Sequence, residues 1–189
     1  MPSKNSVKIV EVGFHCKKTM RLSFFSVALL LLIFGCTGPR GPKKEVDVRV
    51  QPNENRIELD ELVQSVYSKV NKHRARQNLP RLIIQEKLNL IARKHSAAMA
   101  QGVVGFSHHG YHDRFREIGK YVAGMNKAEN LAEIWGHADS AQKAIEVWIN
   151  SPSHRKAIED ARFRVTGIGV AKSLAGKYYF TQLFVQPVR

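Results

Sequence analysis

Apolar positions repeat at helical spacing along two stretches of the chain. Over residues 58–77, Leu59, Leu62, Val63, Val66 and Val70 share one side of a 3.6-residue helix, and Pro80 closes it. Residues 85–101 repeat the pattern with Leu88, Ile91, Ala92, His95 and Met99, and Gly102 stops it. A loop with Gly105, Gly110 and several histidines follows, then a short helix near 113–118 and a short strand over 127–134. Asp139 stands three residues before Gln142 in a capping arrangement. It opens a helix with apolar side Ala141, Ala144, Ile145 and Trp148, ending at Asn150. Ser151-Pro152 restarts the chain as N-cap and first residue of a brief helix through Ile158. Residues 165–171 and 177–185 are rich in β-branched and aromatic types and are joined by a turn at Ala175-Gly176, which predicts a hairpin. Phe180 and Phe184 fall on one face of its second strand, Leu183 and Val185 on the other, so the sheet is covered on both sides. The expected fold is α+β: a three-layer α-β-α sandwich around a small antiparallel sheet.

The N-terminal pattern differs. Residues 22–34, LSFFSVALLLLIF, carry no charge and follow Lys17, Lys18 and Arg21. Thirteen residues are too few to span a bilayer, which takes about 20, and the segment reads as the apolar region of a secretory signal. Ile33-Phe34-Gly35-Cys36 has the order of a bacterial lipoprotein signal, with a small residue before the cysteine that receives the lipid. Phe34 is bulkier than that site commonly holds. The expected organisation is a signal over 1–35, with Met20 as an alternative start, a lipidated Cys36 and Gly/Pro-rich tether over 36–57, and the domain over 58–189. A multiply acylated cysteine buries enough methylenes, at about 0.8 kcal/mol each, to hold the domain on a membrane.

Charge and cysteine usage narrow the partners. The formal net charge is +14, and processing before Cys36 removes five basic residues and one Glu, leaving +10. Such a surface attracts anionic envelope polymers or lipid. The cations are scattered and no aromatic stacking platform accompanies them, so nucleic acid is not an expected partner. The only cysteines, Cys16 and Cys36, lie outside the domain, which therefore relies on its apolar core without a disulfide. Within the domain no Gly-Xaa-Ser-Xaa-Gly, phosphate loop or Cys-His pair supports nucleophilic or nucleotide chemistry.

Several motifs, in order, resemble those of one family. They are Val70-Asn71-Lys72-His73-Arg74 with Asn78-Leu79-Pro80-Arg81-Leu82, His95-Ser96-Ala97-Ala98-Met99, Phe106-Ser107-His108, and Ala128-Glu129-Asn130-Leu131-Ala132. Trp148-Ile149-Asn150-Ser151-Pro152-Ser153-His154-Arg155 and Tyr179-Phe180-Thr181-Gln182 complete the series. Together they resemble bacterial members of the CAP superfamily, the SCP domain, from about residue 57 to 187. The resemblance implies an α-β-α sandwich and a central cavity, where many eukaryotic members place two histidines and two glutamates able to bind a divalent metal. His108 and Glu129 match the first of each. The second glutamate's position is Ser151, the second histidine's is Tyr179, and Ala128 stands where the family has glycine. Bacterial members commonly carry His154 instead, so the implied site is His108, Glu129 and His154, with Asn130, Tyr179 and Gln182 supporting the cavity.

A His-Glu-His set suits zinc, leaving a coordination position for a water that would act as hydrolytic nucleophile. The alternative is structural: His108 and Glu129 hydrogen-bond and fix the loop, while His154 orients the start of its helix. Spacing cannot separate the two, because the residues lie on distant segments. His108 and His112, four apart, would share a helix face only if the segment were helical, which Gly110 opposes. His95, on an apolar helix side, is expected in the core with one backbone partner. The function expected is an envelope-anchored, non-enzymatic binding module, with a zinc-dependent hydrolase or peptidase as the alternative.

Overall fold

The structure is a computed structural model that describes residues 6–10, 13–16 and 53–188. The apolar run over 22–34, Cys36 and most of the tether lie outside these residues.

Five helices cover a mixed sheet. The elements are β1 (Ser6–Ile9), β2 (Gly13–Cys16), α1 (Asn53–Arg76), β3 (Ile83–Ile84), α2 (Glu86–Ala100), α3 (Tyr111–Ile118), β4 (Gly124–Trp135), α4 (Ser140–Asn150), α5 (Pro152–Glu159), β5 (Val165–Lys172) and β6 (Tyr178–Pro187). The sheet order is β1-β4-β6-β5-β3, with β2 also on β4. The expected three-layer α-β-α fold is present. The sheet is not purely antiparallel, however: β3 pairs with β5 in parallel through Ile83 and Ile84. Chain geometry explains this, since α2 and the following elements carry the chain back so that β5 runs beside β3 in the same direction.

The outer edge of β4 is occupied by residues upstream of the apolar run. Ser6–Ile9 pair with Trp135 to Ala132, and Gly13–Cys16 with Glu129 to Asn126, both antiparallel. An uncovered edge strand presents unpaired N–H and C=O groups, and this extended segment satisfies them in the unprocessed chain, whereas cleavage before Cys36 would remove it.

Two apolar layers follow from strand alternation. On one face α1, α4 and α5 pack through Val66, Val70, Trp148 and Ile158 onto Ala132, Ile168, Phe180 and Phe184. On the other, α2 and α3 pack through Leu88, Ile91, Phe115 and Ile118 onto Leu183 and Val185. The approach of α2 depends on glycine: a Cβ on Gly169 would lie 2.1 Å from the backbone N of Arg93, and one on Gly167 2.3 Å from Leu88 Cβ. Ser96 uses that closeness, donating to Gly169 O at 3.0 Å and Thr181 Oγ1 at 2.9 Å. Near β3, Asn71 of α1 both donates to Leu82 O and accepts from Leu82 N, and Tyr67 donates to the same carbonyl.

Candidate functional site

Alternation along β4 sends Glu129 toward α2 and α3 and its neighbour Asn130 toward α5. The Glu129 side chain is fully buried, yet each carboxylate oxygen is satisfied. Arg114 of α3 meets it as a fork, Nη2 to Oε1 at 2.6 Å and Nε to Oε2 at 2.7 Å. His108 Nδ1 bonds the same Oε1 at 2.7 Å. Burial pushes the Glu129 pKa up, but the hydrogen bonds from His108 and Arg114 and the guanidinium charge outweigh it and hold the pKa at about 2.

Arg114 also fixes the histidine loop, donating through Nη1 to His109 O at 2.7 Å. Gly110 makes this loop possible: its left-handed φ of 74° turns the chain into α3, so His108 lies before the helix and shares no helical face with His112. His95 of α2 closes the group, its Nε2 bonded to Ser107 O at 3.0 Å. Burial, reinforced by the Arg114 charge, pushes its pKa down to about 4 and leaves it neutral.

Arg114 was not among the residues selected from the sequence. One signal was present: it is a cation in the first turn of a short helix, where the helix dipole disfavours positive charge. Such a residue needs an acidic partner elsewhere, but its partner is 15 residues on, in a strand.

The remaining candidates are elsewhere. His154 is buried on the opposite face of the sheet, with Nδ1 bonded to Ser151 Oγ at 2.7 Å and its backbone carbonyl accepting from Asn130 Nδ2 at 3.1 Å. Gln182, opposite Asn130 in the β4–β6 register, donates to Thr166 Oγ1 at 3.2 Å. Tyr179 lies on the Glu129 face but pairs with Glu133, four residues or about 13 Å along β4. Burial, then the hydrogen bond to Glu133 and its negative charge, push the Tyr179 pKa up to about 12.

The structure thus joins His108 to Glu129 and sets His154, Asn130 and Gln182 across the sheet from them. A single zinc site from His108, Glu129 and His154 does not fit this placement, because the backbone of β4 intervenes. The Arg114 guanidinium beside the carboxylate also opposes a second cation there. Among the described residues, no group of three or more His, Cys, Asp or Glu is placed to hold a metal ion. What this arrangement does chemically is lock a loop and a short helix onto β4.

The family description "CAP: Cysteine-rich secretory protein family" matches residues 67–184. Among solved structures, an extracellular protein containing an SCP domain from Bacillus anthracis is 26% identical with a TM-score of 0.61, covering 78% of this chain and 45% of its own. An outer surface protein of Borrelia burgdorferi shares the fold at 23% identity and TM-score 0.57, with 68% and 94% of the two chains covered. A cysteine-rich secretory protein of Staphylococcus aureus does so at 20% identity and TM-score 0.55, covering 71% of this chain and 41% of its own. This chain therefore spans less than half the length of the Bacillus and Staphylococcus proteins. Among curated protein sequences, none matches it.

Proposed function

We propose that this chain, which belongs to the CAP family of cysteine-rich secretory proteins, is an exported binding module, lipid-anchored to the bacterial envelope through Cys36, that takes an anionic envelope polymer or lipid. The observation that carries this reading is the state of Glu129. Its two oxygens are held by Arg114 and His108 and its charge is neutralised in place, so the carboxylate serves the fold. A general base needs a carboxylate free to reach a proton, and a metal ligand needs a free lone pair. Export is supported by the extracellular and outer-surface proteins that share the fold, and no described helix is long and apolar enough to cross a membrane.

One observation favours the hydrolase alternative. His108 Nε2 is buried with no hydrogen-bond partner among the described residues, and an imidazole with a carboxylate on its other nitrogen is a common arrangement around metals. The decisive experiment follows the full chain in neutral detergent, measuring retention on isolated envelope material at about 0.15 M salt alongside peptide hydrolysis. Retention without hydrolysis is expected. Hydrolysis removed by chelator and absent in a folded Glu129→Ala variant overturns the reading.

A further inference from the structure

We propose that the cleft between α1 and the segment after it, at Tyr67, Lys72 and Arg81, is a binding site for an acidic polysaccharide; this rests on the binding-module reading and names its site. The cleft has a volume of about 520 Å³, and its lining includes Gln64, Tyr67, Ser68, Lys72 and Arg81 but no carboxylate. Arg81 is ordered before any ligand arrives: its guanidinium lies 5.3 Å from the Tyr67 ring centroid and its Nε reaches the Tyr67 hydroxyl at 3.4 Å. A planar guanidinium stacked on an aromatic ring leaves its outer fork free for a carboxylate or sulfate.

Lys72 shares the cleft, and neither cation has an acidic partner within 4.0 Å among the described residues. Two neighbouring basic side chains of α1 do have acidic partners. Lys69 is paired with Asp139 at 3.3 Å and His73 with Glu159 at 2.8 Å. Helix-end electrostatics accounts for Arg76, which lies in the last turn of α1, where a cation complements the dipole. It accounts for neither Lys72, outside that turn, nor Arg81, beyond the helix. An anion in the cleft would meet both charges without displacing an acidic partner.

Lys72 also lines a second cleft of about 440 Å³ between α1 and α4, together with Arg76, Gln142 and Asn150. Lys72 thus borders both clefts, and two neighbouring basic clefts fit a chain bearing repeated anions better than a single ion. Glu146 lines the second cleft but is engaged by Lys143 and Gln142. The neutral donors and acceptors of Gln64 and Ser68 suit sugar hydroxyls. The Tyr67 face is taken by Arg81, which removes the stacking platform that a nucleic acid would need.

The test measures binding of the full chain, in neutral detergent, to immobilised heparin, hyaluronan and uncharged dextran at about 0.15 M salt. Binding to heparin or hyaluronan and not to dextran is expected, and the comparison of the two shows whether carboxylates alone suffice. Lys72→Glu and Arg81→Glu, both at exposed positions, should each weaken it about tenfold or more. Lys120→Glu, the same charge change on the side of α3, should leave it within about twofold. Equal losses in all three variants would mean overall charge alone and overturn the site. Undiminished binding by the Lys72→Glu/Arg81→Glu double variant would also overturn it while leaving the module reading intact. Absence of binding to either acidic polymer overturns the site, and retention on envelope material then decides the module reading separately.

Discussion

On the α2 face of the sheet a buried carboxylate meets a partly buried guanidinium, Glu129 with Arg114. On the opposite side Arg74 is fully buried, yet among the described residues no carboxylate lies within hydrogen-bond reach of it. It donates to backbone carbonyls instead: Pro80 O at 2.9 Å, Ile158 O at 2.6 Å, Asp160 O at 3.1 Å and Phe163 O at 3.2 Å. Both arrangements tie distant segments together. Arg114 fastens the histidine loop and α3 to β4, and Arg74 gathers the turn after α1, the end of α5 and the approach to β5. The difference is in what can titrate. Backbone carbonyls do not change charge with pH, whereas Glu129 and its neighbour His95 do, so the Arg114 lock should respond to acid and the hydrogen bonds of Arg74 should not.

The largest effect that would test this contrast is removal of Arg74. Arg74→Leu orphans the carbonyls of Pro80 and Ile158, while Asp160 O keeps Phe163 N and Phe163 O keeps Arg164 Nη1, and we expect a loss of about 4 kcal/mol, equal at pH 7 and pH 4, in urea unfolding. A loss that varied with pH between those values would mean the Asp160 side chain, not the carbonyls, carries the interaction. Next comes Glu129→Gln, which leaves the partly buried Arg114 without a counter-charge and should cost about 3 kcal/mol at pH 7. The folded pKa is depressed from 4.5 to about 2, so this stabilisation is complete above 4.5 and disappears as pH falls toward 2. The gap between parent and variant must therefore close over that window, and a constant gap contradicts an ionic lock.

The smallest effect is at His95. Its pKa falls from 6.5 in the unfolded chain to about 4 in the folded one, so between those values the unfolded chain binds the extra proton and stability declines on acidification. His95→Gln should cost about 1 kcal/mol at pH 7 but flatten the decline between pH 6.5 and 4. An unchanged slope would locate the acid sensitivity elsewhere.

Most of the fold was legible because its elements announce themselves locally. The helix sides of α1, α2 and α4 follow apolar spacing, and Ser151-Pro152 opens α5. The pairing of His108 with Glu129 was reachable from the family motifs, and the core position of His95 from its helix side. The placement of His154 was not, since nothing near it in the chain states which face of β4 its helix covers. Strand parity held half the answer: Glu129 and Asn130 are adjacent and must point to opposite faces. The two-residue β3 is too short for any period to register, and Arg74 reads as one more cation in a basic helix end. Its partners are main-chain atoms, which leave no trace in side-chain pattern.

The Asn71 amide at Leu82 has a consequence for self-association. The inward N–H groups at this border, on Ile83 and Gln85, already bond the neighbouring strand, and Leu82 would be the next outward rung. Asn71 fills that rung with one donor and one acceptor, acting as a fragment of a strand carried by a helix. An incoming chain is left with little more than Ile84 to pair against, too short a template to recruit a second molecule. A protein concentrated on a two-dimensional surface would thereby be kept from growing into a fibre along this border.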